Sequence, residues 1–264
     1  MKLTFLGTGT SYGVPYVGCE CAVCQSDDPR NQRLRCSILI EGNAGDDEAA
    51  STQLLVDTTP DLRQQFLRAG VKRISAVLWT HSHNDHIIGL DDVRPLCDRV
   101  GYIDGYADAG TMAQLKRIFS YIFVPGRDHG GFPRMTDHVL EPAQTVLLGD
   151  ICVTAIPIYH GQREIFAYKF QTGERSVVYA TDCSGIPETS WELLHNADLL
   201  VLDALRHRPH PTHFSLEQAL EATTRLQPQR AYFTHIAHDL DHAATNATLP
   251  AGVELAYDTL SIEL

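Results

Sequence analysis

The sequence predicts an α/β fold in which two mixed β-sheets pack face to face and helices cover their outer surfaces. Two observations lead to this prediction. Apolar runs of strand length, several of them joined by glycine turns, occur in both halves of the 264-residue chain. In each half these strands precede an amphipathic helix, so the two halves follow one plan. We therefore interpret residues 1–264 as a single domain.

The first half contains four predicted strands and two predicted helices. The strands are residues 3–6, 37–40, 54–57 and 74–80. Residues 41–52 are small, acidic and glycine-bearing, and we interpret them as a solvated hairpin tip. The first helix is expected to have Thr59 as its N-cap and Pro60 in its first position, and to end at Gly70. The second helix is expected over residues 111–121.

The second half is expected to consist of hairpins, single strands and one helix. Its strands are residues 145–158 with a Gly149-Asp150 turn, residues 165–182 with a turn at Gly173, and the buried runs 197–205 and 230–236. Its helix is expected to begin after Ser215, which forms a capping box with Gln218, and to stop before Pro228.

The composition is typical of a soluble globular protein with an acidic surface. Hydrophobic residues make up 44% of the chain and charged residues 20%, and the formal net charge is −12. Because proteins that bind nucleic acid usually present a basic surface, this charge argues against a nucleic-acid partner. No apolar run is long enough to span a bilayer, and the N-terminal run lacks a secretory signal pattern. We therefore expect a cytoplasmic protein without a membrane partner.

The stretch HSHNDH, residues 81–86, directly follows the fourth predicted strand and is rich in metal-ligand side chains. His81 and His83 project to the same side of an extended chain, and Asp85 and His86 follow where a helix is expected to begin. Imidazoles and carboxylates suit Zn, Mn or Fe at neutral pH. Four ligands packed so closely cannot easily encircle one ion, so we expect them to serve two ions.

Further ligands are expected from the ends of three other strands. His160 ends the run IPIYH, Asp182 ends VVYATD and His235 ends AYFTH. A ligand-type residue at the end of each of four apolar runs predicts a metal centre at one edge of the two sheets.

These residues resemble the metallo-β-lactamase fold superfamily, in its branch of two-metal hydrolases, over essentially the whole chain. The resemblance implies an αββα sandwich and two divalent ions, Zn or Mn, in the active site. It assigns His81, His83 and His160 to one ion, Asp85, His86 and His235 to the other, and Asp182 to a bridging position. It also implies that Asp57, in the run LLVD, orients a ligand histidine.

A cysteine cluster in the N-terminal region indicates a second kind of metal site. Three of the seven cysteines, Cys19, Cys21 and Cys24, form a C-x-C-x-x-C motif. In a reducing compartment this motif favours a structural zinc over disulfides. The fourth zinc ligand is expected to be His238, three residues after His235.

The cysteine motif and the sequence HPTH, residues 210–213, are together similar to the phosphodiesterases of the carbon–phosphorus lyase pathway, which open a cyclic ribose phosphate. This resemblance implies that His213 is catalytic, and we group Asp85 with it in the catalytic centre. The expected reaction is hydrolysis of a small cyclic phosphodiester, attacked by a hydroxide that bridges two metal ions. The expected partners are a small phosphorylated substrate and a second copy of the chain in a homodimer.

Two other relatives remain as alternatives. The tRNA 3′-processing endonucleases share the seven ligands, but they normally add a basic, glycine-rich arm that we do not find in this sequence. A protein of pyrroloquinoline quinone biosynthesis has a similar cysteine motif, and it suggests a metal-dependent carrier rather than an enzyme. Oxygen-reducing diiron relatives have Glu at the position of His83, which argues against redox chemistry.

The residues that contact the substrate are less well defined by the sequence. Residues 124–138 contain Arg127, His129 and Arg134 among glycines and prolines. Two interpretations stay open: a loop over the site that grips a second phosphate, or a solvated connector.

Overall fold

Two seven-stranded sheets face each other across an apolar interior. This arrangement is seen in a computed structural model that describes residues 1–42, 51–124 and 131–264. Both sheets are mixed, and helices lie on their outer faces, so the predicted fold class is confirmed.

The first sheet is formed by the N-terminal half and the last strand of the chain. In spatial order its strands are β14 (Ser261–Glu263), β1 (Lys2–Gly7), β2 (Ser37–Glu41), β3 (Gln53–Val56), β4 (Ala76–Leu78), β5 (Ile103–Ala107) and β6 (Met135–Val139). Pairing is antiparallel from β14 to β3 and parallel from β3 to β6.

The second sheet is formed by the C-terminal half and, like the first, has one antiparallel part and one parallel part. In spatial order its strands are β13 (Val253–Leu255), β12 (Arg230–Thr234), β11 (Leu199–Asp203), β10 (Arg175–Ala180), β9 (Arg163–Thr172), β8 (Ile151–His160) and β7 (Thr145–Leu148). Pairing is parallel from β13 to β10 and antiparallel from β10 to β7. The carboxyl ends of parallel strands lie at one edge of a sheet, where open α/β sheets usually bind their ligands.

Helices cover the outer faces of both sheets. They are α1 (Leu62–Ala69), α2 (Asn84–Ile87), α3 (Arg94–Val100), α4 (Ala109–Ile118), α5 (Trp191–Leu194), α6 (Leu216–Leu226) and α7 (His242–Asn246). Apolar side chains of α1, α3 and α4 pack against the first sheet, and those of α5 and α6 pack against the second. Burial of apolar side chains in these two outer layers, and in the layer between the sheets, stabilises an αββα sandwich.

Several predicted element ends are confirmed. The side chain of Ser215 accepts a hydrogen bond from the Gln218 amide at 3.3 Å, and the Gln218 side chain accepts one from the Ser215 amide at 2.9 Å. Gly70 ends α1 in the left-handed conformation, with φ 66°. The two predicted hairpins turn after β7 and after β9, at Gly149 and at Gly173.

The predicted start of the first helix is wrong by two residues. Asp61 is the N-cap of α1, and Thr59 and Pro60 lie in the turn before it. The Thr59 hydroxyl accepts a hydrogen bond from the Asp61 amide at 3.1 Å and donates one to Gln65 Oε1 at 3.0 Å. Thr59 therefore stabilises the turn that leads into the helix, and it does not cap the helix itself.

The second helix starts earlier than predicted because Asp108 is its N-cap. Its carboxylate accepts hydrogen bonds from the amides of Gly110 and Thr111 at 2.8 and 3.0 Å. The strands β5 and β6 were not predicted. A side chain at Gly105 in β5 would come within 2.6 Å of the Trp79 ring, so glycine is needed there, and the sequence of this strand is polar and glycine-bearing although β5 is paired on both sides.

The C-terminal end of the segment 124–138 is a strand. It is therefore neither a loop over the site nor a solvated connector, the two interpretations that the sequence left open. Met135 begins β6, and Arg134 donates a hydrogen bond to the Cys97 carbonyl oxygen of α3 at 2.6 Å. Arg127 and His129 lie outside the described residues, as do residues 43–50 of the predicted hairpin tip. Within the described part of the chain, no helix is long and apolar enough to cross a membrane.

Candidate metal centre

The predicted ligands lie together where strands of both sheets end. His160 is the last residue of β8, His235 directly follows β12, and Asp182 lies two residues beyond the end of β10. Asp182 and His235 have positive φ values of 54° and 59°, a conformation that non-glycine residues rarely adopt. Such strain is typical of residues held in place for function.

The seven side chains form two clusters. The ligand atoms of His81, His83 and His160 all lie within 4.8 Å of one another. A second group with the same spacing contains Asp85, His86, Asp182 and His235. These are the two sets that the sequence resemblance assigned to two ions.

Asp182 lies between the two clusters. One of its carboxylate oxygens is 3.2 Å from His86 Nε2, and the other is 3.9 Å from His81 Nε2 and 3.4 Å from His235 Nε2. Its carboxylate therefore faces ligand atoms of both sets, as a bridging ligand must.

Hydrogen bonds orient several of the imidazoles and leave one ring nitrogen of each of these for a metal ion. His86 donates from Nδ1 to Asp57 at 2.7 Å, and His160 donates from Nδ1 to the carbonyl oxygen of Thr212 at 2.8 Å. The Nε2 atoms of His81, His86 and His235 are buried and have no hydrogen-bond partner among the described residues. Because an unpartnered buried nitrogen is costly, these atoms fit metal ligation.

The electrostatics of the centre also favour cations. Burial lowers the pKa of His81 well below its ordinary value and lowers the pKa values of His83 and His160, which favours the neutral imidazoles that ligate metal ions. Burial alone would also lower the pKa of His86, but the carboxylates of Asp182, Asp85 and Asp57 raise it well above its ordinary value. The carboxylates that favour a proton on His86 would equally favour a metal ion at this position, because either one offsets their negative charge.

Asp57 lies behind the centre and orients a ligand histidine, as the sequence resemblance implied. Its carboxylate accepts the Thr80 amide and the Thr80 hydroxyl, each at 2.9 Å, in addition to His86. The same Thr80 hydroxyl accepts from Nδ1 of His81 at 3.0 Å. One buried carboxylate therefore orients a histidine of each cluster, and no local sequence pattern marks the part that Thr80 plays.

His213 faces the same centre and has a buried partner that was not predicted from the sequence. Its Nδ1 is 2.7 Å from Asp203 at the end of β11, and its ring stacks on that of His235 with centroids 4.6 Å apart. Burial raises the pKa of Asp203 well above its usual range and lowers the pKa of His213. Asp203 ends an apolar strand as Asp182 does, and this signal could have identified it.

The predicted structural zinc ligands also come together. Nδ1 of His238 lies 3.2, 3.6 and 3.4 Å from the sulfur atoms of Cys19, Cys21 and Cys24. Tetrahedral zinc with ordinary bond lengths requires sulfur and nitrogen ligands about 3.5 Å apart. The Tyr16 ring stacks on His238 with centroids 3.9 Å apart. The four side chains therefore fit one zinc ion without rearrangement.

The N-terminal loop that carries the cysteines is tied to the segment behind the centre. The Ile236 amide donates to the Thr8 carbonyl oxygen at 2.8 Å, and the Thr10 amide donates to the Ile236 carbonyl oxygen at 3.3 Å. Ile236 follows His235 directly, so the cysteine cluster and the metal centre share one stretch of backbone. By contrast, Arg134 lies against α3, where it contacts the Cys97 carbonyl oxygen and the Asp98 carboxylate.

Comparison with known proteins shows the family and the fold of the chain. Residues 52–236 match the sequence model of the beta-lactamase superfamily domain. A solved structure described as a new diphosphatase from the PhnP family is 43% identical, with a TM-score of 0.89, over 100% of this chain and 97% of that chain. Zn²⁺-bound PqqB from Methylobacterium extorquens has a TM-score of 0.82 at 19% identity over the full length of both chains, which shows a shared fold.

A curated relative is a longer protein. Over 262 residues the chain is 34% identical to an octanoyltransferase of Porphyromonas gingivalis, covering 98% of this chain and 51% of that protein. The chain therefore spans about half the length of this relative. The matched superfamily model, the two mixed sheets and the His/Asp clusters at their edge lead to one conclusion: the chain belongs to the beta-lactamase superfamily and has the metallo-β-lactamase fold.

Proposed function

We propose that the chain hydrolyses a small phosphodiester, with cyclic ribose phosphates as the favoured substrate class, at a centre of two divalent ions. The position of Asp182 between two clusters of ligands carries this proposal. Zn or Mn ions held there would supply Lewis acidity and an activated water. His81, His83 and His160 would hold one ion and Asp85, His86 and His235 the other, with Asp182 shared.

His213 is the residue we assign to the leaving group or the phosphoryl oxygens. Nδ1 of His213 lies 2.7 Å from the buried Asp203 carboxyl, whose pKa burial raises well above its usual range, so the two groups can share a proton. A ring nitrogen of His213 lies within 4.8 Å of ligand atoms of His160 and Asp182, and Nε2 is the nitrogen that Asp203 leaves unoccupied. His213 can therefore donate a hydrogen bond from Nε2 to a substrate oxygen, or pass on a proton that Asp203 replaces at Nδ1. Asp85 contributes as a metal ligand of the catalytic centre.

The paired His213 and Asp203 favour an enzyme over a metal-dependent carrier, because a carrier has no use for a buried proton donor at its metal centre. A second candidate reaction is hydrolysis of a diphosphate bond. The 43% identity to a protein described as a diphosphatase supports it. The same residues would serve both reactions, since each is an in-line displacement at phosphorus.

A substrate panel measured together with metal content tests the proposal. We expect purified protein loaded with Zn²⁺ or Mn²⁺ to hydrolyse bis(p-nitrophenyl) phosphate and, with a higher kcat/KM, cyclic ribose phosphates. Sugar diphosphates and 2′,3′-cyclic nucleotides complete the panel. A protein that holds both ions and hydrolyses none of these compounds would rule out the proposed function and leave the carrier alternative.

We also propose that the four-residue cluster of cysteines and His238 holds a structural zinc. His238→Ala is expected to remove one zinc per chain. A loss of about 2–3 kcal/mol of stability would lower the Tm by roughly 5–10 °C in a domain of this size. Zinc analysis and thermal unfolding would measure both effects, with His207→Ala on the exposed loop as the matched control. Unchanged zinc content in the His238 variant would contradict this assignment.

A further inference from the structure

Four buried polar side chains, which we call the thiol–hydroxyl cluster, lie between the two sheets next to the metal centre. Cys36, directly before β2, belongs to the first sheet. Tyr179 on β10, Thr181 directly after β10 and Thr234 at the end of β12 belong to the second. Thr181 and Thr234 each precede a predicted metal ligand in the chain. The cluster therefore joins the sheets where they present their metal ligands.

Thr181 connects this cluster to Asp182. Its hydroxyl donates to Asp182 Oδ1 at 2.8 Å, and the same hydroxyl oxygen is 3.6 Å from Cys36 Sγ. A carboxylate that ligates metal ions carries no hydrogen, and a threonine hydroxyl has only one. The hydroxyl hydrogen of Thr181 is therefore used in the bond to Asp182, and the Cys36 thiol supplies the hydrogen for its own contact with Thr181.

The other two hydroxyl groups complete the order of the donors. Burial raises the pKa of the Cys36 thiol to about 11, so the thiol keeps its hydrogen. Cys36 Sγ lies 3.0 Å from the Thr234 hydroxyl oxygen and 3.2 Å from the Tyr179 hydroxyl oxygen. Because the thiol hydrogen is directed at Thr181, both of these hydroxyls donate to the sulfur. The chain of hydrogen bonds thus runs in one direction and ends at the carboxylate of Asp182.

The carboxylate of Asp182 has to be held in one orientation, because its two oxygens face different ligand atoms. Oδ1, which Thr181 binds, is 3.2 Å from His86 Nε2. Oδ2 is 3.4 Å from His235 Nε2 and 3.9 Å from His81 Nε2. Rotation of an aspartate carboxylate about its last side-chain bond is only weakly restricted. A hydrogen bond to one of the two oxygens restricts that rotation.

We propose that Thr181 and Cys36 are positioning residues that hold the Asp182 carboxylate in its bridging orientation and so set how tightly the centre binds its second metal ion. They are not ligands themselves and act through Asp182. Replacing a residue that hydrogen-bonds a metal ligand typically lowers metal affinity or activity by about 10- to 100-fold. The inference rests on the two-ion centre of the proposed function and does not depend on which diester is hydrolysed.

The first test removes the hydroxyl of Thr181 and keeps the shape of the side chain. We expect Thr181→Val to bind the more weakly held catalytic ion about 10- to 100-fold less tightly than the wild type, and Thr181→Ser to stay within about threefold. Competition with a chelator measures the affinity, and the absorption of bound Co²⁺ reports the ligand geometry. Thr223→Val on α6 is the matched control, because the Thr223 hydroxyl is also buried and donates to the Ala219 carbonyl oxygen at 2.7 Å.

The second test asks whether Cys36 acts through Thr181. Cys36→Ala leaves the Thr181 hydroxyl in place without its donor, so we expect a smaller loss of metal affinity, which Cys36→Ser should largely reverse. In a Cys36→Ala, Thr181→Val double variant, the cysteine substitution should add less than about twofold, because both residues act through one hydrogen bond.

Two results would overturn the inference: equal metal affinity of Thr181→Val and Thr223→Val, or fully additive losses in the double variant. A wild-type protein whose metal affinity depends on Thr181 in the expected way, but which hydrolyses no diester, would refute the proposed function alone. Loss of stability cannot imitate the expected result, because both valine variants lose one buried hydroxyl and only one of them borders the metal centre.

Discussion

Replacing Asp182 with asparagine is expected to lower kcat/KM for a phosphodiester by at least about 10³-fold, equivalent to a loss of about 4 kcal/mol in transition-state stabilisation. A carboxylate can offer one oxygen to each of two cations, whereas the amide of asparagine has one neutral oxygen and an NH₂ group that cannot ligate. The substitution keeps the size of a fully buried side chain whose oxygens face histidines of both clusters. It therefore removes the bridging charge without leaving a cavity.

Metal content separates this explanation from general misfolding. We expect the Asp182→Asn protein to fold but to lose one or both ions from the catalytic centre while it keeps the zinc at the cysteine cluster. Asp104→Asn is the matched control, because Asp104 lies on β5 and pairs with His138 at 2.9 Å away from the clusters. Retention of two catalytic ions together with turnover within tenfold of the wild type would mean that Asp182 does not bridge them.

The sequence predicted which side chains the structure brings together because each of them is marked locally. Every one of them comes at or shortly after the end of an apolar run that becomes a buried strand, and four occupy residues 81–86. A residue at a strand end can be located as soon as the strand itself is recognised in the sequence. The fold class followed from the same runs, since strands with this spacing and helices after them allow few arrangements.

The residues that were missed depend on partners distant in the chain. Thr80 matters because Asp57, 23 residues earlier, accepts both its amide and its hydroxyl. Cys36 meets Thr181 across 145 residues, and nothing near Cys36 in the sequence marks it. The strands β5 and β6 were missed because polar residues and glycine break their apolar pattern, and neighbouring strands decide their conformation.

Replacing His213 with alanine is expected to cut kcat by about 10²- to 10⁴-fold while both ions stay bound. The effect should depend on the leaving group. A ribose alkoxide needs a proton as it departs, whereas p-nitrophenolate is stable without one. If His213 donates that proton, the loss will be large for a cyclic ribose phosphate and small for bis(p-nitrophenyl) phosphate. If it stabilises the phosphoryl oxygens, both substrates will lose activity alike.

Metal analysis of the same variant decides whether His213 is catalytic at all. Its ring nitrogen lies close enough to His160 and Asp182 to be an additional metal ligand. A variant that loses a catalytic ion would assign His213 to ligation, and the proton-donor role would then be wrong. His207→Ala, in the same loop but exposed, shows whether any change in that loop disturbs the centre. Because Asp203 binds Nδ1 of His213, only Nε2 is left to act, and a proton donor with its other nitrogen fixed in this way is what the reaction requires.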